Sequence, residues 1–258
     1  MTTTIETENI LVRMHQDLQR ALSKPVGRRS WAMAIDTRKC IACYGCVISC
    51  IAENVLPPGV TYRTVLDIEL GQYPNVKRIL KPMNCQQCDN APCIKAANDV
   101  APGSLEKRPD GVVAVDYERA TKEAFEAAQK ACPYKRAVYF DDGRFYTDGT
   151  PARQAYETRP SFEYGKAWTR TTEKPPVNAL RKCHFCLHRL ENGELPACVT
   201  TCIGEAMYFG DLSDPQSLIA QLLAENRDKV MRVYESKGTQ PRVYYLTDTP
   251  VLCKSQHP

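Results

Sequence analysis

Thirteen cysteines against four histidines, in 258 residues, mark where this sequence can do chemistry. Twelve of them fall into four groups. Cys40, Cys43, Cys46 and Cys50 form C-x2-C-x2-C-x3-C. Cys85, Cys88 and Cys93 form C-x2-C-x4-C. Cys132 stands alone before Pro133. Cys183, Cys186, Cys198 and Cys202 form C-x2-C-x11-C-x3-C, and Cys253 lies apart near the C-terminal end. Two-residue spacers make a tight loop that aims three thiolates at one centre, as around a [4Fe–4S] cube. A fourth Cys after a three-residue spacer begins a helix and points at a neighbouring cube. Zinc is the competing metal, because CxxC pairs also build four-thiolate zinc sites. Four Cys in so short a run suit a cube better than two zinc knuckles. His184 and His188 flank Cys186 and are further candidate ligands, although polar residues beside a complete Cys set are the plainer expectation.

The odd count and the clustering both argue against structural disulfides, as does a reducing compartment. If the first and fourth groups pair in the ferredoxin manner, they exchange their last ligands. Cys40, Cys43, Cys46 and Cys202 then hold one cluster, and Cys50, Cys183, Cys186 and Cys198 a second. If the second and third groups also pair, Cys85, Cys88, Cys93 and Cys132 hold a third. A fourth cluster would need ligands at positions occupied by Ala97, Lys122, Phe125 and Ala128. All four are missing together, as expected if one whole site was deleted. Cys253 is left over as a free thiol.

On MAIDTRKCIACYGCVISC, MNCQQCDNAPC, ACPYKRAVYF, RKCHFCLHRLENGELPACVTTCIGEAMYFGDL and PRVYYL, the chain resembles the iron–sulfur subunits of the dimethyl sulfoxide reductase family of molybdenum and tungsten enzymes. The resemblance covers most of the chain. It implies an α+β fold of two ferredoxin-like [4Fe–4S] modules, with four clusters in the usual member. The three-cluster version is similar to the small subunit of pyrogallol–phloroglucinol transhydroxylase and its relatives in anaerobic aromatic metabolism. NCQQCDNAPC, RPDGVVAVDYERA, the isolated CPY and GTQPRVYY carry that likeness. Three features depart from it: the segment before the first group, the stretch 141–180, and Ile203 where Pro usually follows the last Cys. The resemblance implies a large catalytic subunit carrying a molybdopterin-type cofactor, with a membrane anchor or a soluble carrier as further partner. In the family the deleted cluster is the one farthest from molybdenum, so its loss suggests a shorter wire.

The elements that must position these cysteines are partly visible. Residues 5–22 form an amphipathic helix with Ile10, Leu11, Met14, Leu18 and Leu22 on one face, which either packs on the body or grips a partner. Strands are expected at 31–36, 61–70, 112–116, 136–140, 206–210 and 242–246. Helices are expected at 117–131 and 214–236. Residues 141–180 are polar with scattered aromatics and little periodicity, and a loop of that length suits a subunit contact. The organisation is then an N-terminal helical arm (1–30), a two-cluster module (31–80 with 181–212), a one-cluster module (81–140), the insertion (141–180) and a helix/strand extension (213–258).

The remaining arithmetic excludes other functions. Charged residues are 25%, apolar residues 43% and net charge +4, so the chain reads as an ordinary globular protein with no case for nucleic acid. No apolar stretch is long enough to span a membrane. No secretory signal is evident, and Arg28-Arg29 lacks the apolar run of a twin-arginine leader. A cytoplasmic location is expected, or export as a folded passenger of a signal-bearing catalytic subunit. Nothing resembles a nucleotide loop or a catalytic triad, so the chain is not catalytic alone. It is expected either to relay electrons for a redox enzyme, or to prime a transhydroxylase that moves none. Arg38, Lys39, Arg181, Lys182 and Arg189 adjoin ligands, and either offset the negative charge of the clusters or are ordinary solvated cations.

Overall fold

Six consecutive buried residues, WAMAID at Trp31–Asp36 (β1), require a strand with neighbours on both edges and cover on both faces. The structure, a computed structural model describing residues 9–135, 138–171 and 174–249, gives it both. Ahead of β1 lies helix α1 (Ile10–Leu22), and after it come α2 (Gly45–Glu53) and the strands β2 (Arg63–Gln72) and β3 (Asn75–Asn84). The middle of the chain holds α3 (Pro92–Val100), β4 (Leu105–Lys107), β5 (Val113–Val115), α4 (Lys122–Ala131) and β6 (Tyr139–Phe140). The 141–180 region contributes α5 (Ala155–Thr158), β7 (Ser161–Glu163) and β8 (Lys166–Trp168), and β9 (Leu180–Arg181) begins at its end. The last part holds α6 (Leu187–Glu191), α7 (Ala197–Thr200), β10 (Met207–Asp211), α8 (Leu218–Glu225), β11 (Val230–Met231) and β12 (Val243–Leu246). The fold is a mixed α/β arrangement of short helices and small sheets.

The main sheet has the order β10-β1-β12-β11. β1 runs antiparallel to β10, with Met33 opposite Phe209, and parallel to β12, with Met33 opposite Val243. Just past this sheet lie the loops of the first and fourth cysteine groups, tied by the Asp36 amide on the Ala206 carbonyl at 2.8 Å. The expected C-terminal extension is therefore integral, since it supplies β12 and the edge strand β11. The helix expected over 214–236 is confined to α8. Beyond Asn226 the polar run ends the apolar period, and Val230–Met231 pair with Leu246 and Tyr245 instead.

Helix α1 starts at Ile10, capped by Asn9, whose side-chain oxygen accepts from the Leu11 amide at 2.9 Å. The expected segment 5–8 and Cys253 lie outside the described residues. Met14, Leu18 and Ala21 are buried in the main core, and the stacked pair Trp31–Phe209 lies in the same cluster. Asp17 is buried too and accepts the Leu218 amide at 2.6 Å, tying α1 to α8. Of the two expectations for this face, packing on the body is the one observed. The helix expected over 117–131 begins only at Lys122, where the Thr121 hydroxyl caps it; 117–120 form a turn.

The 141–180 stretch, expected as a loop suited to a subunit contact, carries short elements and buried charges of its own. Asp141, Glu163 and Arg170 are buried, and so is Arg181 just beyond. Arg181 binds Asp141 at 2.9 Å and Glu163 at 2.7 Å, while Arg170 binds Asp141 at 2.7 Å. Tyr62 and Tyr117 both donate to Glu163. Burial favours the neutral acid at Asp141, but the two guanidiniums more than offset it and hold its pKa below the ordinary carboxylate value. Its contribution to stability is thus present at neutral pH and lost only as pH falls through that depressed value.

Two stability tests follow from this packing. Leu18→Ala should cost about 2–5 kcal/mol of unfolding free energy if α1 belongs to the core; a change within about 0.5 kcal/mol would return α1 to the status of a detached arm. Arg181→Met strands the buried Glu163 and should cost about 3–5 kcal/mol. Arg153→Met, at an exposed ion pair with Asp148, should change thermal stability little.

Candidate metal centre

The twelve cysteines expected to act as ligands gather into three sets. Cys40, Cys43, Cys46 and Cys202 line one small cavity. Cys50, Cys183, Cys186 and Cys198 line a second, together with Met33, Arg63, Asn84 and His184. Cys46 and Cys50 lie one turn apart on α2 yet serve different cavities, because α2 packs along α7 between the two loops. The approach of the first and fourth groups leaves no room for a side chain at Gly204, where a Cβ would sit 2.6 Å from the Lys39 carbonyl oxygen. The first cavity reaches the surface, since Cys43 is exposed and Ile203 is 75% exposed; the Ile at the usual Pro position sits in an open turn.

Cys85, Cys88, Cys93 and Cys132 are all buried and close enough to perturb one another. Cys93 lies in the first turn of α3, and Cys132 caps the C-terminus of α4. Lys107 ties the loop of Cys85 and Cys88 to the turn at Gly111 through the Gln87, Cys88 and Gly111 carbonyls at 2.8–3.1 Å. Gln87 bridges the Val113 amide and the Cys183 carbonyl, linking this loop to the second cavity. Ala97 and Ala128 are fully buried where α3 packs on α4, in the second apolar core. Phe125 is half-buried at its margin, 5.8 Å from the Phe140 ring. Lys122 is exposed at the start of α4, so of the four positions lacking a Cys two, Ala97 and Ala128, lie in the helix–helix contact.

Burial pushes the Cys46, Cys183 and Cys132 thiols up to about 11 and those of Cys88 and Cys93 up to about 12, with neighbouring thiols adding to the effect. Cys50 and Cys186 are pushed well above the ordinary thiol value for the same reasons. Such thiols ionise only beside compensating positive charge. Part of that compensation is built into the backbone. The Ala206 amide donates to the Cys202 sulfur at 3.2 Å, and the amides of Ala42, Phe185, Ala197, Tyr134 and Lys135 favour the thiolates of Cys40, Cys183, Cys186 and Cys132. Ala42, Gln87, Lys135 and Phe185 adopt positive φ near +50°, at about 1–2 kcal/mol each, which folds the loops into amide-lined hollows. Four thiols around a cavity with amides aimed at the sulfurs fit an iron–sulfur cluster.

Neighbouring sets lie close enough to influence one another. Cys46 is raised by Cys198 of the second set, and Cys183 by Cys85 of the third. The sets therefore follow one another in the order first, second, third. The histidines are otherwise engaged. His184 is buried, with Nδ1 accepting the Leu187 amide at 3.0 Å and Nε2 3.1 Å from the Asn54 Oδ1, and burial drives its pKa far down. His188 Nε2 lies 2.8 Å from Glu53. Among the described residues no three His, Cys, Asp or Glu side chains form a single-ion site.

The expectation of solvated cations holds only in part. Arg38 is partly exposed on Asp36, but Arg181 and Lys182 are fully buried. The Lys182 ammonium donates to the Val113 and Cys183 carbonyls at 2.5 and 2.7 Å. Arg63 is also buried and escapes a reading by composition. Its signal was its phase: Arg63 shares the inward face of β2 with Val65. Burial opposes its charge, but the thiols of Cys198, Cys46, Cys183 and Cys50 more than offset that and raise its pKa.

Comparison with known proteins agrees with this geometry. The family model for the 4Fe-4S dicluster domain matches residues 76–148 and 165–212. The chain is 47% identical over 244 residues to the selenate reductase B chain of Mesobacillus selenatarsenatis, covering 94% of this chain and 80% of that one. It is 35% identical to the tetrathionate reductase B chain of Salmonella typhimurium, covering 85% and 73% of the two chains. It is 32% identical to the arsenate respiratory reductase iron–sulfur subunit of a Shewanella species, covering 83% and 94%. With thiol sets of this kind and likeness running along nearly its whole length, the chain belongs to the iron–sulfur subunits of the dimethyl sulfoxide reductase family of molybdenum enzymes.

Proposed function

We propose that this chain is a three-cluster electron-transfer subunit serving a molybdopterin-containing catalytic subunit that reduces an inorganic oxyanion. The observation that carries the reading is the gathering of twelve cysteines into three contiguous four-thiol sets. Cys40, Cys43, Cys46 and Cys202 hold the first cluster, Cys50, Cys183, Cys186 and Cys198 the second, and Cys85, Cys88, Cys93 and Cys132 the third. The helix pairs α2/α7 and α3/α4 are the centres of two ferredoxin-like modules, the first with two clusters and the second with one. A [4Fe–4S] cube ligated by four Cys supplies one-electron transfer and offers no open site to substrate.

The chain's own residues do the rest. Buried thiols exclude water from the second and third sets, while the exposed Cys43 leaves the first set near the surface. Backbone amides at Ala42, Phe185 and Ala206 hold negative charge on the sulfurs. Among the described residues no helix is long and apolar enough to cross a membrane, so contact with a membrane pool would pass through an anchor subunit or a soluble carrier. The relatives are named for selenate, tetrathionate and arsenate, which favours an oxyanion over an aromatic substrate. All three are reductases, and the priming role in a transhydroxylase is not favoured.

Anaerobically purified protein should hold about 12 iron and 12 sulfide per chain, and Cys132→Ser should lower both to about 8. Unchanged iron in Cys132→Ser would remove that residue from the ligand set, and zinc in place of iron would end the electron-transfer reading. The complex purified through this chain should contain molybdenum or tungsten and oxidise a reduced viologen in proportion to the selenate, tetrathionate or arsenate consumed. Turnover confined to an aromatic substrate would overturn the oxyanion assignment.

A further inference from the structure

Three buried guanidiniums can be compared directly. Arg170 and Arg181 are each neutralised by buried carboxylates at 2.7–2.9 Å. Arg63 is 1% exposed and is treated differently. Its Nη2 lies 3.0 Å from the Met33 sulfur, a weak acceptor. Its Nη1 has no hydrogen-bond partner among the described residues. Among the same residues no carboxylate pairs with it. A buried cation left unpaired costs several kcal/mol, so an anion must face it in the working protein. The groups beside it that can carry negative charge are sulfurs, because Arg63 lines the second cavity with Cys50, Cys183, Cys186 and Cys198. The hairpin fixes this placement: Arg63 pairs with Asn84 at the base of β2–β3, directly before Cys85. The guanidinium thus stands where the second set meets its neighbours.

Resting on the cluster assignment above, we propose that Arg63 is the built-in counter-charge of the second cavity and sets the reduction potential of the cluster held there. A cube with four thiolates carries about −2 when oxidised and about −3 when reduced by one electron from an external donor. No proton need move, because Arg63 is charged in both states. A fixed positive charge in a low-dielectric cavity stabilises the more negative state, so it raises the potential. The two paired arginines cannot do this, since their charge is already balanced by Asp141 and Glu163.

The test is a dye-mediated redox titration of the intact complex, read by electron paramagnetic resonance, with iron measured on the same samples. Arg63→Gln removes the charge, and Arg63→Lys keeps it. With full iron, Arg63→Gln should lower the reduced-to-oxidised ratio of one cluster by about tenfold at fixed potential, a downward shift of about 59 mV. Arg63→Lys should stay close to the unaltered protein, and the other signals should not move. If Arg63→Gln sheds about four irons while Arg63→Lys keeps them, the charge is again what the cavity needs. Full iron with an unchanged potential in Arg63→Gln would overturn the proposal, as would Gln and Lys behaving alike. Absence of iron from the unaltered protein would instead sink the cluster assignment itself.

Discussion

A thiol buried beside other thiols keeps its proton, and a thiolate in the same place is prohibitively costly without positive charge nearby. This chain buries most of its twelve grouped cysteines under that constraint. Much of the surrounding structure answers it. Residues such as Ala42 and Phe185 accept unfavourable backbone angles to turn amides toward sulfur. Arg63 and Lys182 are taken out of water to stand among the second and third sets. Bound iron would supply the remaining charge, so loading and folding should be coupled in this protein.

The fold's task is to bring loops that are distant in sequence to one place. The antiparallel pairing of β1 with β10 delivers Cys40–Cys46 and Cys202 to the same end of the sheet. Helix α2, seated on α7, then carries Cys50 one turn further into the second cavity. The α3–α4 contact, closed by Ala97, Ala124 and Ala128, does the same for Cys93 and Cys132. Small side chains let these two helices approach closely. The β2–β3 hairpin joins the two halves, because its base places Arg63 at one cavity and leads into Cys85 at the other.

The parts legible in the sequence were those with local signatures. Cysteine spacing announced the chemistry, and the apolar runs of β1, β10 and β12 announced three strands, though not their joining in one sheet. The two helix starts were less legible, since the caps Asn9 and Thr121 set α1 and α4 to begin later than the expected 5 and 117. What stayed hidden depended on partners far along the chain. Arg181 looks solvated until Asp141, Glu163 and Tyr62 close around it. The 141–180 stretch looks like a loop because its order comes from buried ion pairs, which leave no hydrophobic period. The end of α8 was set by a two-residue strand pairing with β12, too short to register as periodicity.

We propose that three clusters are held by crossed ligand sets, with Cys50 and Cys202 exchanged between the first and fourth groups. The most direct measurement is an anomalous difference map at the iron edge from anaerobic crystals of the loaded complex. Three four-iron sites are expected in this chain, with Cys202 on the site of Cys40, Cys43 and Cys46, and Cys50 on the site of Cys183, Cys186 and Cys198. Iron held by Cys40, Cys43, Cys46 and Cys50 together, or a further site between α3 and α4, would contradict the proposal.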